Sequence, residues 1–331
     1  MISRRNLRFL VVLLALVVLP GAMLTAQAKI GQGMYIRAFI GGPEGDAFAS
    51  LIQHGIEQAR ADLGPKVDII YSNWDSDLLL KQVREAIAIK PDGMAINGLP
   101  GHDALVPIAR ELQSKGILYN FIVVDSGDVH KEFGGGYFGV GDPYAQGKGM
   151  ADRAIKSFGL KRGDRILVMG AWDLDQHVRE SGVAETFEKA GCTVDRITIT
   201  HGAGGINSDP NQLTPILTAY QLAHPETKLW SYQGGVTFAQ APLYAKAAGL
   251  KAGQVKMIGF DLNEGVISAF DQGYIQIASD QQPYYTGYLS IMSLVMTWKF
   301  GFSPIEVDTG AGLIDTSNYK LVAKLAKMGI R

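Results

Sequence analysis

Side chains able to grip a small polar molecule recur in this chain directly after short apolar runs. Asp46 and Phe48 follow Tyr35–Ile40 and its glycine turn, Asn97 closes Met94-Ala95-Ile96, and Asp125 closes Ile122-Val123-Val124. Trp172, Asp173 and Asp175 follow Arg165–Met169, and Gln233 follows Trp230-Ser231-Tyr232. Asp261 follows Ile258-Gly259-Phe260, and Asp280, Gln281 and Gln282 follow Ile275–Ala278. Arg179 is the one well-placed cation. Carboxylates accept from hydroxyls, amides donate and accept, and Arg offers a planar fork of donors. An aromatic face covers the C–H side of a sugar ring. This inventory suits a neutral polyhydroxylated molecule. It suits a phosphate poorly, because carboxylates repel it and no Walker-type glycine loop is present. Taken singly, each residue has a plainer reading: Asp46 caps a helix, Phe48 enters a core, and Asp261 caps another helix. Their recurrence is the argument for one shared cleft.

Other chemistries find less support. Asp173, Asp175 and His177 could ligate a metal, but three side chains of one exposed loop read first as solvated or ligand-facing, so no metal or cofactor is assigned. There is no His-Glu-x-x-His, no EF-hand spacing and no Gly-x-Ser-x-Gly elbow. His54, His102, His130, His201 and His224 have no evident nucleophile beside them. Paired carboxylates can hydrolyse glycosides, but nothing places two of them across one bond. A binding protein rather than an enzyme is expected.

The elements that must position these residues alternate between strand and helix. Asp46 opens an amphipathic helix with Phe48, Leu51, Ile52, Gly55, Ile56 and Ala59 at three- and four-residue intervals. Strands are predicted at Val67–Tyr71, Gly93–Asn97, Ile117–Val124 and Tyr137–Val140, separated by helices at Leu78–Ile89 and Ala104–Lys115. The layout then repeats, with helices at Tyr144–Phe158, Gln176–Ala190, Leu213–Leu222, Val236–Ala248 and Glu264–Gln272. Between them lie strands at Arg165–Met169, Thr193–Thr200, Lys228–Tyr232, Val255–Phe260 and Ile275–Ala278. A long helix, Pro283–Phe300, and a short one, Asn318–Lys327, close the chain. Two successive α/β units predict two doubly wound parallel-sheet domains with a cleft between them. Gly134-Gly135-Gly136 reads as a flexible link into the crossing between them.

With 331 residues and a net charge of −1, the chain lacks the basic field that nucleic-acid binding needs. Residues 1–28 read as a signal peptide: Arg4, Arg5 and Arg8 are basic, Phe9–Leu19 is apolar, and Ala26-Gln27-Ala28 is a cleavage site. An exported, periplasmic protein beginning at Lys29 is expected. Cys192 is the only cysteine, so no internal disulfide can form, and its place between helix and strand predicts a buried, inert thiol.

Several of these residues match a family pattern. Asp46-Ala47-Phe48, Ala95-Ile96-Asn97, Val124-Asp125-Ser126, Arg179-Glu180-Ser181-Gly182, Ile258-Gly259-Phe260-Asp261 and Gln281 make the mature chain resemble periplasmic sugar-binding proteins of the ribose/galactose type, the type I periplasmic binding proteins. The resemblance implies a monomer that carries a small sugar or polyol to the membrane permease of an ABC transporter. It implies sugar contacts at Asp46, Phe48, Asn97, Asp125, Arg179, Asp261 and Gln281, with Asn120 as the alternative to Asp125. Trp172, Asp175 and Gln233 are carried as further cleft contacts. It also implies a three-crossing hinge, near Val140–Gly141, Gln281–Gln282 and Ser303–Val307. The lobes would be residues 29–140 plus 282–302, and 141–281 plus 303–331. There are departures: Gln233-Gly234-Gly235 stands where Asn-Asp is common, and the second lobe lacks its stacking aromatic, leaving Trp172 or Trp74 to replace it. A sensory binding protein, including an autoinducer-2 type, is the alternative, although the Lys of that type's first loop has no match in Gly41-Gly42-Pro43. A periplasmic carbohydrate-active enzyme is a further one.

Overall fold

The computed structural model describes residues 28–124, 126–173, 177–202, 204–310 and 312–331. The expected leader up to position 27 lies outside the described residues, as do two expected site residues, Asp125 and Asp175.

The strands are β1 (Tyr35–Gly41), β2 (Lys66–Tyr71), β3 (Gly93–Asn97), β4 (Leu118–Val123), β5 (Gly136–Gly139), β6 (Arg165–Gly170), β7 (Thr193–Thr198), β8 (Leu229–Tyr232), β9 (Lys256–Phe260), β10 (Ile277–Asp280), β11 (Glu306–Asp308) and β12 (Gly312–Asp315). The helices are α1 (Ala47–Leu63), α2 (Ser76–Ile89), α3 (His102–Ser114), α4 (Val129–Phe133), α5 (Pro143–Phe158), α6 (Val178–Lys189), α7 (Leu213–Ala223), α8 (Gly235–Phe238), α9 (Ala241–Ala247), α10 (Glu264–Asp271), α11 (Pro283–Phe300) and α12 (Tyr319–Lys327).

They form two six-stranded sheets, ordered β11-β5-β4-β3-β1-β2 and β12-β10-β9-β8-β6-β7. All neighbours are parallel except β12 and β10. The fold class expected from the alternation, two doubly wound α/β units, is the fold found. In each sheet the strand order reverses beside the first strand, at β1 and at β6. The helix before the reversal and the helices after it therefore cover opposite faces, and a crevice opens at the carboxyl ends of the strands. Covered on both faces, the inner strands are largely apolar. β3, β5, β8 and β10 are buried along their whole length, while the outer β2 and β7 are only partly covered.

Each lobe has a core on either side of its sheet. In the first, Phe39, Leu79, Val83 and Leu105 fill one face, and Ile36, Ile52, Ile56 and Leu294 fill the other. In the second, Ile166, Val183 and Phe187 fill one face, and Leu217, Trp230, Tyr244 and Phe270 the other. The helices carrying Asp46 and Arg179 are seated the same way in both lobes. In the first, a Cβ on Gly55 of α1 would stand 1.9 Å from the Tyr284 carbonyl, and one on Gly287 of α11 would stand 2.3 Å from that of Ile52. In the second, a Cβ on Gly147 of α5 would stand 2.0 Å from the Arg179 carbonyl, and one on Gly182 of α6 would stand 2.3 Å from that of Tyr144. Reciprocal glycines let each helix pair touch backbone to backbone, which fixes where the helix begins.

The structure departs from the sequence reading at four places. Glu306–Asp308 pairs with β5 in the first sheet, so the third passage between sheets lies between Asp308 and Gly312, not at Ser303–Val307. A three-residue strand with one apolar side chain carries no periodicity to detect. Gly134-Gly135-Gly136 is not a loose link: Gly134 ends α4, a Cβ on Gly135 would meet the Tyr119 ring at 2.4 Å, and Gly136 begins β5. Short α4 was not expected, and Val236–Ala248 divides into α8 and α9, the second carrying Pro242 in its first turn.

The three passages run side by side and are stitched together. Gln146 Nε2 donates to Ser279 Oγ and to the Gly310 carbonyl, each at 3.0 Å. Gln282 Nε2 donates to the Thr309 carbonyl at 3.0 Å, and the Thr286 and Thr309 hydroxyls lie 3.2 Å apart. Asp280, 1% exposed, receives Arg331. Cys192 is buried, and burial pushes its thiol pKa up, away from reactivity.

Candidate functional site

A cleft of about 740 Å³ opens between the lobes. Pro43 to Ala47, Asn73 and Trp74 line it from the first lobe; Asn207, Ser208, Gly235, Gln240, Asn263 and Glu264 are among its lining from the second.

Asp46 is where the helix reading placed it. Its Oδ1 caps α1 by accepting from the Phe48 and Ala49 amides at 2.9 and 2.8 Å, and the residue lines the cleft. Phe48 is half-buried, its ring 6.2 Å from that of Trp74. Trp74 lies flat on the glycine turn: a Cβ on Gly41 or Gly42 would stand 2.8 or 2.9 Å from its indole. Both Asn73 and Trp74 have left-handed backbones, at φ 55° and 57°. Such backbones are costly away from glycine and are held only by surrounding contacts. Trp74 is thus the tryptophan that lines the cleft.

Asn97 is fully buried, and its side chain serves the backbone: Nδ2 donates to the Ile40 carbonyl at 3.1 Å, and Oδ1 accepts from Leu99 N at 3.0 Å. It ties β1 to β3 at the strand-order reversal. Asn120 is likewise spent, donating to the Ser290 carbonyl of α11 at 2.9 Å. Trp172 sits against the second lobe's own surface, with Nε1 donating to the Val168 carbonyl at 3.3 Å and Arg196 stacked 5.2 Å above the ring. It is not among the residues lining the cleft.

The remaining expected residues meet at the second lobe's strand ends. Asp261 has φ 72°, a left-handed backbone that Asp tolerates better than most residues. Its Oδ2 accepts from Gly235 N at 2.8 Å, and its Oδ1 from Gln281 Nε2. Gly234-Gly235 lets the backbone come this close, since a Cβ on Gly235 would stand 3.1 Å from that of Asp261. Burial dominates the Asp261 carboxyl and raises its pKa; Arg179, the Gly235 amide and Gln281 oppose the rise, and Asp46 across the cleft adds to it. Arg179, at the start of α6, stacks 4.1 Å over Phe260 and donates from Nη2 to the Gln233 carbonyl at 2.6 Å. Gln233 Nε2 lies 2.9 Å from His201 Nε2. Arg179 Nε and Gln233 Oε1 are enclosed without partners. His201 belongs to this cluster but has no motif around it. It follows a strand end, which was the only signal in the sequence.

Burial lowers the His201 pKa, against Asp173, Glu180 and the Ile199 carbonyl, which raise it. A histidine with a depressed folded pKa stabilises the fold above its ordinary value, and that contribution is lost as pH falls through the folded value. The melting temperature is therefore expected to drop on acidification below about pH 6.5, and less in His201→Gln than in the wild type. Parallel thermal melts from pH 8 to 5 check this.

Among the described residues, no group of three or more His, Cys, Asp or Glu is arranged to hold a metal ion. Asp46, Trp74, Asn207, Ser208, Asn263 and Glu264 are among the residues lining the cleft; Phe48, Arg179, Gln233, Asp261 and Gln281, like Trp172, are outside that lining.

Comparison with known proteins identifies the family. A family model described as periplasmic binding protein domain matches residues 37–301, well over half the chain. The chain belongs to the periplasmic binding protein family, and its place is extracytoplasmic. Among solved structures it is similar to a carbohydrate transporter from Acidothermus cellulolyticus 11B in complex with myo-inositol, at 26% identity and TM-score 0.75, over 90% of this chain and 99% of that one. It also shares its fold with a carbohydrate transporter solute binding protein from Agrobacterium radiobacter in complex with D-arabinose (19% identity, TM-score 0.73, 92% and 100% covered). A glucose-galactose binding protein from Geobacillus stearothermophilus is similar too (19% identity, TM-score 0.69, 86% and 98% covered). No curated protein matches the sequence.

Proposed function

We propose that the chain binds a small neutral sugar or polyol between its lobes and delivers it to the membrane permease of an ABC importer, after export on a cleaved signal peptide. The observation that supports this reading is the cluster at the strand ends, Asp261 braced by Gly235 and Gln281 beside Arg179 and Gln233; of these Gly235 lines the cleft, as do Asp46 and Trp74 from the facing lobe. Carboxylates offer lone pairs to hydroxyl protons, and a guanidinium offers donors to hydroxyl oxygen. The carbohydrate transporter bound to myo-inositol, 26% identical, supports this ligand class. Asp46, Phe48, Trp74, Arg179, Gln233, Asp261 and Gln281 are the assigned contacts. Closure of the lobes is driven by contacts that the open form cannot make. For a ligand of about twelve heavy atoms, micromolar affinity needs about −8 kcal/mol, or about −0.7 per atom, within the ceiling for small ligands.

Thermal shift of the protein from Lys29 against pentoses, hexoses and polyols tests the class. A ligand at about 100 times its Kd adds about 2.7 kcal/mol of stability, which for a chain of this size is a rise of about 5–10 °C. A rise confined to one sugar or polyol is expected. No rise with any of them, and a rise with charged metabolites, would refute the class.

A further inference from the structure

The cleft lies at the carboxyl ends of the strands, and the opposite edge of the first sheet carries a surface of a different kind. Among the described residues, four exposed large apolar side chains are aromatic, and three of them, Trp298, Phe300 and Phe302, stand where α11 ends. Phe300 and Phe302 are more than half exposed, with ring centroids 5.8 Å apart. Exposed Ile30, Ile89 and Ile305 share this edge. Ile30 precedes β1, Ile89 closes α2 ahead of β3, and the Ile305 carbonyl accepts from Tyr137 N of β5 at 3.1 Å. Exposed apolar groups gathered on one edge mark an interaction surface, which single scattered ones do not. Lysines stand among them. A depression of about 470 Å³ is lined by Thr297 and Trp298, by Lys90, Pro91 and Asp92 ahead of β3, and by residues 115–118 ahead of β4, beginning with Lys115. Lys29 and Lys299 are exposed as well. The carboxylates at this edge are already engaged: Asp92 accepts from Tyr35 N at 2.8 Å, Asp62 from Gln58 Nε2 at 2.8 Å, and Glu111 pairs with Lys115 at 3.5 Å.

We propose that this edge is a peripheral membrane-binding surface: Trp298, Phe300 and Phe302 enter the interface of an anionic phospholipid bilayer, and Lys90, Lys115 and Lys299 meet its phosphates. Two observations select a bilayer as the occupant. One is where the chain leads. Gly31 N donates to the Leu63 carbonyl at 2.8 Å, and a Cβ on Gly31 would stand 3.0 Å from Val295 of α11, so the residues before Lys29 leave from this edge. The apolar run Phe9–Leu19 ends nine residues before Ala28, a span of at most about 30 Å of extended chain. While that run is held in a membrane, this edge is kept within that distance of it. The other is charge. The whole chain carries −1, and Arg4, Arg5 and Arg8 are the only charged residues before Lys29, so the chain from Lys29 carries −4. Such a protein is repelled by an anionic surface as a whole, and only a local patch can bind one. Tryptophan collects at the headgroup level of bilayers, and lysines beside it are drawn to anionic lipid. The cleft, at the far edge of the sheet, stays free to take its ligand, and the proposal does not depend on what that ligand is.

Sedimentation of the protein from Lys29 with vesicles tests this, comparing phosphatidylglycerol mixed into phosphatidylcholine with phosphatidylcholine alone. Binding to the anionic vesicles only is expected, and salt should weaken it. Lys90→Gln with Lys115→Gln should weaken it about thirtyfold, at about fivefold per lysine near an anionic surface. Lys228→Gln with Lys251→Gln, an exposed pair on the second lobe, should leave it unchanged. Phe300→Ser with Phe302→Ser should cost about tenfold through lost apolar burial. A second readout uses the wild-type fold and decides alone if a variant proves unstable. Brominated lipid should quench tryptophan emission in the wild type and not in Trp298→Phe, because Trp74 lines the cleft and Trp172 and Trp230 belong to the second lobe. No sedimentation with anionic vesicles, equal losses in the two lysine pairs, or quenching that persists in Trp298→Phe overturns the proposal. So does a dimer in solution that Phe300→Ser with Phe302→Ser dissolves, which gives the edge to a second copy of the chain instead.

Discussion

Asp261→Asn is expected to raise the melting temperature of the unliganded protein at pH 7 while weakening sugar binding by about a hundredfold or more. The first effect follows from the raised Asp261 pKa, caused mainly by burial. A carboxyl whose folded pKa is raised stabilises the fold most below its ordinary value, and that contribution is lost as pH rises through the folded one. At pH 7 the ionised side chain is therefore a burden, which the neutral Asn amide removes. Asn also tolerates the left-handed backbone at this position. One Asn oxygen can still cap Gly235 N, and Gln281 can turn its own amide to face the new NH2. The second effect follows because hydrogen bonds to charged groups contribute roughly 1.5–3 kcal/mol each, and Asn replaces an acceptor-only group with one that also donates. Thermal melts and calorimetric titration of the variant check both. A lower melting temperature with unchanged affinity would remove Asp261 from the site.

The second large effect concerns two glycines of one helix. Gly147→Ala should destabilise the protein by about 2 kcal/mol or more, within the range of overpacking changes, because the new Cβ would stand 2.0 Å from the Arg179 carbonyl. Since α6 must move to admit it, Arg179 is displaced as well, and sugar affinity should fall with stability. Gly149→Ala, two residues along the same helix, meets nothing within 4 Å. There the change only removes the helix penalty of glycine and should stabilise by up to about 1 kcal/mol. Chemical denaturation of both variants separates the cases. Equal effects would mean that α5 and α6 are not in backbone contact.

The two lobes could be read from the sequence because parallel sheets covered on both faces need long apolar runs, and the reading followed those runs. It failed where that logic does not apply. Glu306-Val307-Asp308 joins the first sheet with a single apolar side chain, Val307, so side-chain pattern gave no warning. Gly134-Gly135-Gly136 looked like slack, although Gly134 has a left-handed backbone at φ 76° and the Tyr119 ring and Asn120 come within a Cβ's reach of Gly135 and Gly136. At the site, polar residues after strands marked the right edge of each sheet but not their direction. Asn97 and Asn120 turned inward to hold backbone, and Trp172 lay back on its own lobe. Trp74 comes to line the cleft through two left-handed residues that sequence pattern does not announce. His201 enters through its contact with Gln233, a pairing 32 residues apart.

Isothermal titration of the protein from Lys29 with the sugar that gives the largest thermal shift tests the central claim most directly. The account predicts saturable binding of one sugar per chain, at micromolar Kd or tighter, with the sugar recovered unchanged and binding weakened in Asp261→Asn. Absence of saturable binding by any neutral sugar or polyol, or recovery of the sugar as a cleaved product, would contradict it.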